Sequence, residues 1–121
     1  MNKPTVVLGA SPDPLRYSYK AVCQLIAAGH TVYPVGITQG SIANTIILPS
    51  LSEVPSNIDT ITIYLSPKHQ EALYEAILAL MPRRIIFNPG AENAPFEILA
   101  QKNNIHTENA CTLVLLSTNQ Y

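Results

Sequence analysis

The stretch Thr5-Val6-Val7-Leu8-Gly9-Ala10-Ser11-Pro12-Asp13-Pro14-Leu15-Arg16-Tyr17-Ser18-Tyr19 constrains this chain more than any other. A continuous apolar run stops at a small, turn-prone loop and resumes as a helix. Val6 to Leu8 has the β-branched, unbroken apolar character of a strand buried on both faces, as a parallel sheet covered by helices demands. Gly9, lacking a Cβ, lets the backbone of the loop come close to a bound group. Ala10 and Ser11 keep the crest of that loop low, and Ser11 adds a hydroxyl donor. A helix beginning at about Ser18 would turn its free N–H groups and the positive end of its dipole toward an anion seated there. Such an arrangement is a nucleotide-binding signature.

The chain has 121 residues, 47% of them hydrophobic, which suits one domain, residues 1–121, with a real core and leaves too little length for two. Charged residues make up 12% and the formal net charge is −1, so no basic field exists to hold a nucleic acid or an anionic membrane surface. Met1-Asn2-Lys3-Pro4 runs straight into the first strand, and no apolar run approaches bilayer length. A cytoplasmic location is expected. Cys23 and Cys111 fit neither a C-x-x-C pair nor a ligand cluster, and His30, His69 and His106 show no metal-binding spacing, so no metal site is expected.

After the loop, Ala21, Val22, Leu25, Ile26 and Ala28 recur at helical spacing, and Gly29-His30 is a natural stop. Thr31 to Val35 reads as the second strand, completing a βαβ unit. From Gly36 to Asn57 the chain is rich in turn residues around a minor strand or extended piece, Ile46-Ile47-Leu48, and Leu51 to Pro55 reads as a short helical turn. Asp59 to Leu65 is a further strand. Ser66-Pro67 opens the clearest helix of the chain, with Ala72, Leu73, Ala76, Ile77 and Leu80 as its buried stripe. Arg84 to Phe87 is another buried strand, followed by a tight loop at Asn88 to Asn93, a helix from about Ala94 to Asn103, a short strand at Ile105 to Glu108, and a closing segment from Cys111 to Ser117. The pattern predicts an α/β, Rossmann-like, doubly wound sheet of about five mostly parallel strands with helices on both faces. Ligands on such sheets bind at the carboxyl ends of the strands. Four loops meet there: Gly9 to Ser18, Pro34-Val35-Gly36, Ser66-Pro67-Lys68 and Asn88 to Asn93.

A dinucleotide fold would carry G-x-G-x-x-G in the first loop and an acid about 20 residues on; Gly9 stands alone, and no Asp or Glu occurs between Asp13 and Glu53. No G-K-[ST] occurs, so a P-loop is excluded as well.

The ordered set Gly9-Ala10-Ser11, Pro14, Arg16 and Ser18, then Pro34-Val35, Leu51-Ser52-Glu53-Val54-Pro55, Asp59 and Asn88-Pro89-Gly90-Ala91-Glu92-Asn93 resembles the CoA-binding domain family, small stand-alone proteins related to the amino-terminal domain of the succinyl-CoA synthetase alpha subunit. The resemblance spans nearly the whole chain. It departs at Gly36-Ile37, where the family commonly has Asn-Pro, and at Asn88, where Gln is common. It implies CoA as cofactor, with Gly9, Ala10 and Ser11 approaching the pyrophosphate and Arg16 and Ser18 supplying charge and hydroxyl contacts, assisted by Lys20. Pro34 and Val35 would pack on adenine or ribose. Ser66, Pro67 and Lys68 would wall the crevice, and Asn88, Pro89, Gly90, Glu92 and Asn93 would line the pantetheine side.

Each of these residues also has a plainer reading. Arg16, Lys20 and Lys68 are also ordinary solvated cations, Tyr17 or Tyr19 packs at the helix start or stacks on a base, and Glu92 caps the late helix or touches ligand. His69 is exposed at a helix start, and Cys23 packs in the core. Cys111 is either a small buried hydrophobe or a thiol near the CoA thiol. Three functions follow: a CoA- or acyl-CoA-binding protein without catalysis of its own, a small enzyme acting on CoA thioesters or thiols through Cys111, or a nucleotide-sensing interaction module. Leu113-Val114-Leu115-Leu116 is either core or a candidate homodimer surface.

Overall fold

The computed structural model describes residues 1–121. Four-residue strands rich in Val and Ile alternate with helices in the order β1 (Thr5–Leu8), α1 (Tyr17–Ala27), β2 (Val32–Val35), the short pair β3 (Ser41–Ile42) and β4 (Thr45–Ile46), β5 (Thr60–Ile63), α2 (Pro67–Gln70), α3 (Tyr74–Ala79), β6 (Arg84–Phe87), α4 (Ala94–Lys102), β7 (His106–Asn109) and α5 (Thr112–Ser117). Five strands form one sheet in the order β2-β1-β5-β6-β7, parallel throughout. That is the Rossmann-like α/β sheet expected. β1 lies inside it, so Thr5 to Leu8 are all buried, which is why the run is apolar without alternation.

Residues of the inner strands feed two cores, one on each face of the sheet. Val6, Leu8, Ile61, Ile63, Ile85 and Phe87 meet Ile77 of α3 and Phe96 and Ala100 of α4 on one face. Val7 meets Val22 and Leu25 of α1, with Ile42 and Ile47, on the other. The first helix ends as its sequence suggests: Gly29 takes φ +91, and the amides of Gly29 and His30 bond back to Ile26 and Leu25. Ile46-Ile47-Leu48 resolves into a hairpin, β3–β4, turned by Ala43 and Asn44 in the left-handed region, plus a parallel bridge from Leu48 to Val35.

The helix expected from Ser66-Pro67 is broken. A 3₁₀ turn at Glu71–Leu73 separates α2 from α3, and of the expected buried stripe only Ile77 is fully buried, while Ala72 is exposed. Gln70 supplies the reason. Its side chain is wholly buried, donates to the carbonyls of Leu65 and Ala91 (2.8 Å each) and accepts from Asn93 (2.9 Å), so the segment rotates to satisfy a polar group rather than to bury its alanines. Tyr74 then stacks on Phe96, ring centroids 4.1 Å apart.

At the opposite, amino-terminal edge of the sheet, the Tyr121 ring covers buried Arg84 (4.4 Å from its Cζ) and lies 5.0 Å from the ring of His30. His30 Nδ1 accepts a hydrogen bond from the Lys3 amide (2.9 Å), which requires that nitrogen to be unprotonated. Burial, helped by the charge of Lys3, holds the His30 pKa below its ordinary value of 6.5. The unfolded chain therefore binds the proton first as pH falls, and native stability contributed by neutral His30 declines from about pH 6.5 downward until the native residue also protonates. Urea midpoints measured from pH 8 to pH 5 should fall more steeply for the wild type than for His30→Gln; parallel profiles would show that His30 is not the sensor.

Candidate functional site

The β1–α1 loop is sewn to the end of β2. The amides of Gly9 and Ala10 both donate to the Val35 carbonyl (2.9 Å each), so these two donors are engaged within the protein. The approach is so close that a Cβ on Gly36 would sit 2.1 Å from the Ala10 oxygen, and one on Gly9 would sit 3.1 Å from Leu65 Cδ2. Glycine is required at the first position by contact and at the second also by φ +94.

Beyond Ala10 the loop organises itself. Ser11 Oγ accepts from the Asp13 amide (3.1 Å), and Asp13 Oδ1 accepts from the Leu15 amide (2.9 Å). Arg16 occupies the N-cap position of α1, where no side chain caps the helix and no acid sits in the first turn. That helix start carries first-turn N–H groups with no side-chain cap and no acid beside them. The Arg16 guanidinium is mostly exposed and meets Asp13 only at 4.0 Å, a pairing too weak to hold it away from an incoming phosphate.

These elements open on a cavity of about 950 Å³ at the carboxyl ends of the strands. Of the residues expected there, Gly9, Ala10, Ser11, Arg16, Ser18, Val35 and Pro89 line it. The others stand outside its lining. Lys20 lies over the Tyr17 ring at 5.2 Å, and Pro34 is buried in β2, its carbonyl accepting from the Leu48 amide. Ser66 bonds His69 Nδ1 (2.9 Å), while Pro67 and Lys68 are exposed on α2.

The late loop is occupied with holding itself together. Asn88 donates to Thr62 Oγ1 (2.6 Å) and the Ile63 carbonyl (2.9 Å) and accepts from the Thr112 amide (2.9 Å). Glu92 accepts from the Gly90 amide (2.7 Å). Asn93 caps α4 through the Phe96 amide (3.1 Å) and donates to Gln70 and Tyr74.

Sequence reasoning missed the remaining walls. Ile37, Thr38 and Pro49 to Ser52 close one side, and Tyr64, Leu65, His69, Ala72, Leu73 and Ala76 close another. The Leu51 turn had been visible as a motif, and the Ala72-Leu73-Ala76 stripe as an apolar face; neither pattern says that the face lines a cleft. Burial pushes the Tyr64 phenol up to about 12, against the opposing pull of the Thr112 and Thr62 hydroxyls beside it, which also bond each other (2.7 Å). Tyr64 therefore stays neutral at physiological pH. Cys111 is half-buried at the N-cap of α5 and is not part of the cavity lining.

The family model for the CoA binding domain matches residues 3–117. The chain belongs to the CoA-binding domain family. A crystal structure of an uncharacterized protein is 39% identical over 100% of this chain and 99% of its own, with a TM-score of 0.96. A Thermus thermophilus protein at 22% identity (TM-score 0.87, 98% of this chain, 90% of its own) shares this CoA-binding-domain fold. So does part of the acetyl-coenzyme A synthetase 1 of Ca. Korarchaeum cryptofilum, solved with phosphate and ADP, at 18% identity and a TM-score of 0.74, covering 89% of this chain and 25% of that one. None of the curated proteins matches the chain. No helix is long and apolar enough to cross a membrane.

Proposed function

We propose that this protein holds CoA or an acyl-CoA across the carboxyl ends of its sheet strands, without catalysis of its own. The observation that carries this reading is the uncapped start of α1, with Arg16 beside it, facing a cavity of about 950 Å³ at the strand ends. A diphosphate suits such an end: first-turn amides, the planar guanidinium of Arg16 and the hydroxyls of Ser11 and Ser18 all belong to residues that line the cavity. Membership of the CoA-binding domain family supports CoA as its bearer. The absence of Cys111 from the cavity lining counts against a thiol acting on the ligand, and Tyr64, held neutral, is not available as a base.

Calorimetric titration tests the reading. Wild-type protein should bind CoA, and Arg16→Ala should weaken binding by roughly 10- to 100-fold, the worth of one charge-assisted hydrogen-bonded contact. No heat with wild-type protein would end the proposal; equal affinity in the variant would remove Arg16 from the site.

A further inference from the structure

The cleft is poor in charge. Of the Lys and Arg residues only Arg16 belongs to its lining, at the start of α1. Lys20 lies over the Tyr17 ring and outside the lining, and no Lys or Arg occurs between Lys20 and Lys68. The wall made by Gly36, Ile37, Thr38 and Pro49 to Ser52 is drawn wholly from that cation-free stretch. It holds no acid either, since no Asp or Glu stands between Asp13 and Glu53. What it offers is neutral: the hydroxyls of Thr38, Ser50 and Ser52, and peptide groups.

This wall continues the end of β2. On doubly wound sheets that strand end is where a ribose is read: a carboxylate there grips free hydroxyls, and an Arg accommodates a phosphorylated ribose. This chain has neither. We infer that the cleft recognises the diphosphate of its ligand and leaves the ribose phosphate unread, so that it takes 3′-dephospho-CoA as readily as CoA. The inference rests on the CoA reading above. In that reading Arg16 serves the diphosphate and is not spare for another phosphate. A phosphate monoester carries roughly −1.5 to −2 charges at neutral pH, and enclosing it against a neutral wall would be costly. The wall does not require this: Ile37 is 100% exposed and Thr38 is exposed beside it, so a phosphate on the ribose stays hydrated. With no cation to attract it and no carboxylate to repel it, the phosphate adds little to binding in either direction. His69, the other lining residue able to carry positive charge, belongs to the wall of Leu65 and Leu73, and its Nδ1 is engaged with Ser66 (2.9 Å).

The experiment is calorimetric titration with CoA and with 3′-dephospho-CoA, on wild-type protein and on Thr38→Arg, at about 0.15 M salt to screen long-range attraction. The two ligands should bind the wild type within about 5-fold of each other. Thr38→Arg, which adds the missing cation to the wall, should prefer CoA by about 10-fold or more. Ile37→Arg serves the same purpose if circular dichroism shows Thr38→Arg to be unfolded. A wild-type preference for CoA above about 5-fold overturns the inference and leaves the CoA reading standing. Lack of heat with both ligands overturns both. A folded arginine variant that discriminates no better than the wild type takes the ribose off this wall and overturns its assignment there.

Discussion

Asn88→Ala should destabilise the protein by about 3 kcal/mol or more, lowering its melting temperature by roughly 10 °C. Asn88 is 1% exposed and joins three parts of the chain: the end of β6, the end of β5 through Thr62 and Ile63, and the start of α5 through the Thr112 amide. Truncation strands a buried amide donor and removes donors from a buried hydroxyl and a buried carbonyl, each worth about 1–3 kcal/mol when left unpaired. Asn88→Asp should not rescue, because it replaces the donor facing the Ile63 carbonyl with a second acceptor. Thermal and urea denaturation read the loss directly. A drop in CoA affinity with unchanged stability would instead mean that Asn88 serves the ligand.

The second large effect is expected at Gly36. Its conformation is open to any residue, but a Cβ there would meet the Ala10 carbonyl at 2.1 Å, and backbone cannot swing aside as a side-chain tip can. Gly36→Ala should cost about 1–3 kcal/mol, as overpacking does, and should push the β1–α1 loop off the end of β2. CoA titration and denaturation should therefore fail together in this variant. Gly29→Ala is the informative contrast: that glycine has φ +91 and nothing within 4 Å, so only the left-handed backbone opposes the new methyl, at about 1–2 kcal/mol, far from the cleft. If Gly36→Ala melts like the wild type and binds CoA equally well, the loop is not held by this contact.

Asn88 and Gly36 also show how far the amino-acid sequence could be read. Both stand out as departures from the family pattern, and a departure near a ligand site reads most simply as a weakened ligand contact. In the folded protein Asn88 is a structural brace and Gly36 permits a close backbone approach. Asn93 and Glu92, read as lining the pantetheine side, are likewise engaged with Phe96, Gln70 and Gly90. A polar side chain announces that it needs partners; those of Asn88 lie 24 to 26 residues away and those of Gln70, Leu65 apart, 21 to 23, and no local pattern names them.

What the sequence determined by itself was the alternation of short apolar strands with helices, the parallel sheet this implies, and the loop from Gly9 to Ser18 that, with Arg16, lines the cleft at the strand ends. These follow from periodicity, from turn chemistry and from the right-handed crossover, all of which act over a few residues to a few tens. Tertiary structure alone decided which loop residues turn inward to brace the fold and which remain free to line the cleft. It also decided that the Ala72–Ala76 stripe faces open space, because Gln70 must reach Leu65 and Ala91 and rotates the segment in doing so. Burying a polar group without a partner is more costly than leaving two alanines partly uncovered, and that comparison is made only once distant segments have met.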